Sequence, residues 1–182
     1  MMVVLIVILM LPILRPDQVQ APAGAGGAPA AAAAGGALDI ANMSPREAAD
    51  RLFNRVMTAV SQGNIDEAQQ FLPMAIQSYD MARPLDQDGL FHLSLLHQQL
   101  PDFPAALRVA QEALAENPDH LLNLSAAGQA AIGTGDTAAA VEFFQHFLDV
   151  YEVESQKPLP EYQAHGNMLP EMKAEAERNV GG

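Results

Sequence analysis

The chain has 182 residues, no cysteine and a formal net charge of −13, so disulfides, thiolate metal sites and cysteine nucleophiles are excluded. Its acidic balance repels nucleic acid phosphates, and we therefore exclude nucleic acid as a partner. Hydrophobic residues make up 49% of the chain and aromatic residues only 5%, and this composition, rich in Ala and Leu, favours helices over sheets.

The N-terminal segment, residues 1–15, is strongly apolar. Residues 1–14 read MMVVLIVILMLPIL without a charge, and Arg15 follows. As a helix this stretch would be about 21 Å long, against about 30 Å of hydrocarbon in a bilayer. We interpret residues 1–15 as a hydrophobic helix that anchors the protein, short enough to need local thinning of the bilayer or packing against other membrane helices.

Two alternatives stay open for this segment. In the first, the first Met lies inside a longer anchor. In the second, the segment is a signal peptide cleaved near residues 21–23, which read Ala-Pro-Ala. The segment lacks the basic leader of a secretory signal, and the cleavage candidate lies far from the apolar run. A retained anchor is therefore the interpretation that we prefer.

Residues 16–38 form a linker rich in Ala, Gly and Pro. Within it, residues 21–37 read APAGAGGAPAAAAAGGA and lack both bulky side chains and periodicity. A flexible chain of this length reaches roughly 25 Å, and a fully extended one roughly 70 Å. The composition predicts a disordered-type tether between the anchor and a folded domain.

The folded domain is expected to begin near Ser44. Residues 44–47 read Ser-Pro-Arg-Glu, a capping box with proline at the first helical position. Downstream, apolar residues recur at helical spacing on both sides of the turn at residues 62–64, namely Leu52, Val56, Ala59, Ala68, Leu72 and Ala75. This pattern predicts a first pair of helices within residues 49–82.

The strongest pattern in the chain is a repeat of 34 residues, which superimposes apolar and small residues of one segment on those of the next. The superimposed pairs are Leu90 with Leu124, Leu93 with Ala127, Ser94 with Gly128, Ala106 with Ala140, Ala110 with Phe144, Ala113 with Phe147, and Leu114 with Leu148. A period of this length is typical of stacked helix pairs. Residues 87–120 and 121–154 are thus predicted to form two further pairs.

These positions resemble the tetratricopeptide repeat family in a divergent form. The family's usual aromatic residue late in the first helix is replaced by His97 and Ala131. The resemblance implies an all-α fold, a short α-solenoid of about three helix pairs over residues 39–154. A capping helix is expected in residues 155–182, and small residues at repeat positions should let the paired helices approach closely.

The resemblance also implies a binding face, because in this family the first helix of each pair lines a concave surface. The residues expected to contact a protein partner there are Phe53, Met57, Phe91, His92, Leu95, Gln98 and Gln129. None is Lys or Arg, so the family's clamp for a terminal carboxylate is not carried over. An apolar strip flanked by amides suits an extended apolar peptide or an amphipathic helix. The alternative is that these side chains pack inside the superhelix or against the protein's own tail.

Metal and cofactor sites are not expected. His92 and His97 are five residues apart and do not share a helix face, and Asp88 adds little. His165 and Glu161 are four residues apart, but two ligands alone amount to a surface contact.

Catalysis is not expected either. Residues 133–136, Gly-Thr-Gly-Asp, lack the following Lys-Ser/Thr and the preceding strand of a phosphate loop, and they fall at a repeat turn. No Ser, His and Asp combination lies in a recognisable motif. The sequence predicts a protein that is not an enzyme and takes no small-molecule substrate.

Together these features predict a non-catalytic protein–protein interaction scaffold tethered to a membrane. We expect an accessory or assembly subunit of a membrane complex of the respiratory, photosynthetic, secretion or cytochrome-maturation type, with the repeat domain on the periplasmic side. Arg15 alone would favour the cytoplasmic side, which stays open. The alternative function is a soluble or secreted adaptor that binds an apolar peptide or helix in its groove.

Overall fold

In the computed structural model, residues 43–181 are described, and the predicted membrane segment 1–15 and linker 16–38 lie outside them. The described residues form helices only, which confirms the predicted all-α fold. These helices are α1 (Pro45–Ser61), α2 (Ile65–Met81), α3 (Gln87–Gln99), α4 (Phe103–Glu116), α5 (Leu121–Thr134), α6 (Thr137–Glu154), α7 (Pro160–Ala164) and α8 (Leu169–Val180). None of the helices in this part of the chain has both the length and the apolar character needed to cross a membrane.

The helices pair as the 34-residue repeat predicts. Helix α1 packs on α2, α3 on α4, and α5 on α6, and successive pairs meet through α2 with α3 and α4 with α5. Each element therefore contacts mainly its neighbours in the chain, which is the arrangement of a short α-solenoid.

The start of α1 is fixed by the predicted capping box. The Ser44 side chain accepts a hydrogen bond from the backbone N–H of Glu47, and the Glu47 carboxylate accepts one from the backbone N–H of Ser44. Two backbone donors that the first helical turn leaves unpaired are satisfied in this way, and Pro45 needs no partner because it has no N–H.

Within the first and third pairs, the turns combine a glycine with a capping side chain. Gly63 and Gly135 have φ angles of +71° and +83°, a region that a side chain would strain. The next residues, Asn64 and Asp136, accept backbone hydrogen bonds at the starts of α2 and α6. The chain reverses at both turns, as the sequence predicts.

One large apolar cluster, which we call the apolar core, lies among α3 to α8, and further buried apolar side chains, such as Leu52, Val56 and Leu72, lie on α1 and α2. On α5, Gly128 faces Phe144 on α6, and a Cβ atom at Gly128 would lie 2.7 Å from that ring. In the preceding pair, the Ser94 hydroxyl donates a 3.0 Å hydrogen bond to the Ala106 carbonyl. Small residues at these repeat positions let the helices of a pair approach closely. Within the described part of the chain, this buried cluster takes no member from α1 or α2.

Residues 159–181, which we call the C-terminal segment, form two helices instead of the single capping helix that the sequence predicts. A turn at Gly166 separates α7 from α8, and Pro170 lies in the first turn of α8, where its missing N–H is tolerated. Helix α8 packs on α6 and buries Leu169, Met172 and Ala176 in the apolar core. The segment is thus a cap made of two short helices.

Candidate functional site

Three of the seven residues predicted to bind a partner are buried. Phe53, Phe91 and His92 have 6%, 1% and 7% of their surface exposed. Phe53 stacks on the His92 ring with the ring centroids 3.9 Å apart. These three side chains therefore pack inside the domain, as the alternative interpretation of this face proposes.

The other four predicted residues are half-buried. The Gln129 amide donates to Glu175 of α8 at 2.8 Å, and the Gln98 amide donates to the Ala126 carbonyl at 3.3 Å. Leu95 packs against the apolar core, and Met57 is partly exposed on α1. The protein's own C-terminal segment thus covers part of this face. That the face contacts a partner stays a prediction.

His92 is the centre of a partly buried polar cluster that connects α1, α2, α3 and the C-terminal segment. The Tyr79 hydroxyl lies 2.9 Å from His92 Nδ1 and donates to Asp50 at 2.7 Å. On its other side, His92 Nε2 lies 3.2 Å from His165 Nε2. His165 Nε2 is also 3.1 Å from Asp88 Oδ1. Two imidazoles and a carboxylate thus meet at one point.

Arg46 carries the positive charge of this cluster. Its guanidinium pairs with Asp50 at 2.9 Å and with Asp88 Oδ2 at 3.0 Å, and it also contacts Asp86. Burial raises the pKa of Asp50, but the nearby His92, the Tyr79 hydroxyl and Arg46 outweigh burial and lower that pKa to about 2. The Asp50 carboxylate is therefore ionised throughout the neutral range and can only accept hydrogen bonds.

The pKa of Asp88 moves in the same direction. Burial raises it, but His165, His92 and Arg46 outweigh this effect and hold it below its usual value. The pKa of the Tyr79 hydroxyl is raised by burial and by its bond to Asp50, so the hydroxyl keeps its proton. The cluster thus contains three carboxylates (Asp50, Asp86 and Asp88), one cation and two imidazoles.

A second polar cluster attaches the C-terminal segment to the start of α5. The Tyr162 hydroxyl accepts from the Leu121 N–H at 2.9 Å and donates to the buried Glu154 carboxylate at 3.0 Å. His120 Nε2 lies 3.2 Å from Glu161. The C-terminal segment is therefore held by specific hydrogen bonds in addition to its apolar contacts.

The contact between His92 and His165 is the feature that sequence reasoning missed. In the sequence His92 is close to His97, and His165 is close to Glu161, so spacing along the chain points to those pairs. The structure instead brings together residues 73 positions apart. No periodicity marks this pair, because His165 lies outside the repeats, in the turn after α7.

No protein-family model matches the sequence, and no curated protein matches it. Among solved structures, the chain is similar to the type III secretion translocator chaperone SycD of Yersinia enterocolitica, with a TM-score of 0.45, 11% identity, and coverage of 72% of this chain and 92% of that one. It is also similar to the TPR2B domain of yeast Sti1, solved as an Hsp70 complex, with a TM-score of 0.46, 15% identity, and coverage of 71% and 96%. Similarities this distant say nothing about the function of the present chain.

Proposed function

We propose that this protein is a non-catalytic protein–protein interaction scaffold, held at a membrane by residues 1–15, and that it serves as an accessory or assembly subunit of a membrane complex. The observation that carries the proposal is the stack of three helix pairs, on which the chain's own helix α8 packs, mainly against α6 and to a smaller extent against α5. A surface that binds one amphipathic segment has the chemistry to bind another.

The contacts of the C-terminal segment indicate what kind of partner fits. The segment presents Leu169, Met172 and Ala176 on its apolar side and polar groups such as Glu175 toward Gln129. A partner helix with a similar apolar stripe and carboxylates at its margin would match the same helices. The part of the predicted face left partly exposed, which includes Met57, would contact it first.

The membrane attachment rests on the sequence of residues 1–15. The test uses the full chain with Val4→Asp and Ile8→Asp together. Two aspartates near the middle of an apolar helix cost about 5–7 kcal/mol of insertion free energy. We expect this variant to leave the membrane fraction, while a matched control with Ala31→Asp and Ala33→Asp in the linker, which adds equal charge, stays bound.

Purification of both variants in mild detergent distinguishes a complex subunit from a soluble adaptor. A subunit should co-purify with its partner at fixed stoichiometry in the linker control and lose it in the anchor variant. A partner retained by the anchor variant would favour the adaptor. If both variants pelleted equally with membranes, residues 1–15 would not be the anchor.

The partner face is tested by Met57→Asp against Met74→Asp. Met74 lies on α2 with 43% of its surface exposed, so the control carries the same chemical change outside the predicted face. Loss of the co-purifying protein in the Met57 variant alone supports the predicted face. Equal retention in both folded variants, checked by circular dichroism, would contradict it.

A further inference from the structure

Asp88, His92 and His165 form a triangle of donor atoms. His92 Nε2 lies 3.2 Å from His165 Nε2, His165 Nε2 lies 3.1 Å from Asp88 Oδ1, and Asp88 Oδ1 lies 3.5 Å from His92 Nε2. Asp88 and His92 are one helical turn apart on α3, and His165 comes from the C-terminal segment. Two separate parts of the fold therefore supply the three atoms.

The size of this triangle matches a tetrahedral metal ion. Zinc binds imidazole nitrogen and carboxylate oxygen at about 2.0–2.2 Å, which places the ligand atoms of a regular tetrahedron about 3.3–3.5 Å apart. The three distances lie within about 0.2 Å of that range. Two imidazoles and one carboxylate are also a ligand set that first-row divalent metals prefer.

Neighbouring groups orient the His92 ring for this role. Because the Asp50 carboxylate can only accept, the Tyr79 hydroxyl donates to it and accepts from His92 Nδ1–H. The proton on Nδ1 leaves the Nε2 lone pair directed at His165 and Asp88. Metal-binding histidines are held by the same kind of outer hydrogen bond.

Asp88 is oriented in a similar way. Its Oδ2 atom accepts from Arg46 at 3.0 Å, so Oδ1 is the atom that faces the histidines. A cavity of about 260 Å³ adjoins Asp88 and is lined also by Asp86, Pro160, Glu161 and Ala164. It lies on the Asp88 side of the triangle, where it would admit an ion and a water molecule as the fourth ligand.

From this geometry we propose that Asp88, His92 and His165 bind one divalent metal ion, with zinc the best fit, and that the ion joins α3 to the C-terminal segment. The inference is independent of the scaffold proposal, because it concerns the closure of the domain on itself. The competing arrangement is a metal-free triad in which His165 Nε2–H donates to Asp88 and His92.

The test is a zinc titration of the full chain in detergent, without a histidine tag, against a chromophoric chelator. We expect one zinc per chain, with affinity reduced more than about 100-fold in His165→Gln and Asp88→Asn. His146→Gln is the matched control, because His146 also pairs with a carboxylate, Asp119 at 2.8 Å, but lies on α6 away from the triangle. The His146→Gln variant should bind zinc with the same affinity as the unaltered protein.

Two further measurements distinguish a four-coordinate metal site from nonspecific zinc binding. Cobalt(II) should give the intense visible absorption of a four-coordinate ion, and Tyr79→Phe, which retains all three ligands, should weaken zinc binding about 10–100-fold. Circular dichroism checks that each variant is folded. Absence of zinc binding by the unaltered protein, or equal loss in His146→Gln and His165→Gln, would overturn the proposal and leave the hydrogen-bonded triad.

Discussion

Two regions of this domain are held together by different chemistry. Where the first helix pair meets α3, which we call the first junction, charged and polar groups connect the helices: Arg46 bridges to Asp88, and Tyr79 bridges Asp50 to His92. Among α3 to α8 a large cluster of buried apolar side chains, including Phe91, Phe144 and Phe147, joins the helices. Some buried polar groups, such as His120 and Glu154, lie in the same region.

The two kinds of contact contribute differently to the fold: one determines how stable the domain is, and the other determines how its helices are oriented. Burial of apolar side chains stabilises the core by about 25 cal/mol per Å² and depends little on direction. Buried polar groups contribute little net free energy, but each is costly to leave unpaired, so they restrict the geometry to one arrangement. The apolar core should therefore dominate the unfolding free energy, and the first junction should fix how the first pair is oriented.

The largest expected effect is in the apolar core. Phe144 is fully buried, and Phe144→Ala should lower the free energy of unfolding by about 3–5 kcal/mol because it removes apolar burial and leaves a cavity. Urea denaturation followed by circular dichroism measures this loss. The matched variant is Phe71→Ala, at a half-buried ring that contacts Arg55 on the first pair. An equal loss there would contradict the claim that the apolar core dominates the unfolding free energy.

The next effect tests close packing in the same core. Gly128→Ala should cost about 1–3 kcal/mol, because its Cβ would lie 2.7 Å from the Phe144 ring. The double variant with Phe144→Leu should recover part of the loss, since the smaller side chain makes room. Strict additivity of the two changes in denaturation experiments would show that the residues are not in contact.

A smaller effect is expected at the first junction. Tyr79→Phe removes the hydroxyl that contacts both Asp50 and His92 and should cost about 1–2 kcal/mol of unfolding free energy. Tyr151→Phe is the control, because the Tyr151 contacts with Phe147 and Lys173 are made by the ring. A loss as large as that of Phe144→Ala would mean that the polar junction carries the stability.

The smallest effect is a pH dependence at His120. Burial lowers the pKa of His120 from its usual 6.5, against the opposing attraction of Glu161. With a lowered pKa in the folded protein, the unfolded chain binds more protons at His120. The unfolding free energy should therefore decrease as the pH falls below about 6.5, and this loss should be absent at higher pH. Denaturation across pH 5–8 measures the slope, and His120→Gln should flatten it. An unchanged slope in that variant would assign the dependence to other groups, such as His97, whose pKa burial also lowers.

The sequence predicts the apolar region far better than the polar one. The 34-residue period places Gly128 against the helix that carries Phe144, because a repeating helix pair reuses the same small and large positions. The turns at Gly63 and Gly135 follow from glycine itself, which adopts the positive φ angles of such turns without steric cost. These features depend on local pattern, and local pattern is visible in a sequence.

The polar cluster could not be found in this way. Arg46, Tyr79 and His165 each come from a different element, and their meeting depends on the angle between helix pairs and on the path of the C-terminal segment. The burial of Phe53 and Phe91 was equally ambiguous, since an inner face covered by the chain's own segment has the same apolar spacing as one that faces a partner. Both questions concern tertiary contacts between distant parts of the chain.

The contact of His165 with α3 also affects how the domain can come apart. In a linear array each repeat touches only its neighbours, so unfolding can proceed from one end, pair by pair. Here the C-terminal segment packs on α6 and also reaches back to Asp88 and His92, past α4, α5 and α6. Detaching it would remove contacts from the second and third pairs at once. We therefore expect the second and third pairs to unfold together, whereas the first pair can still separate from one end.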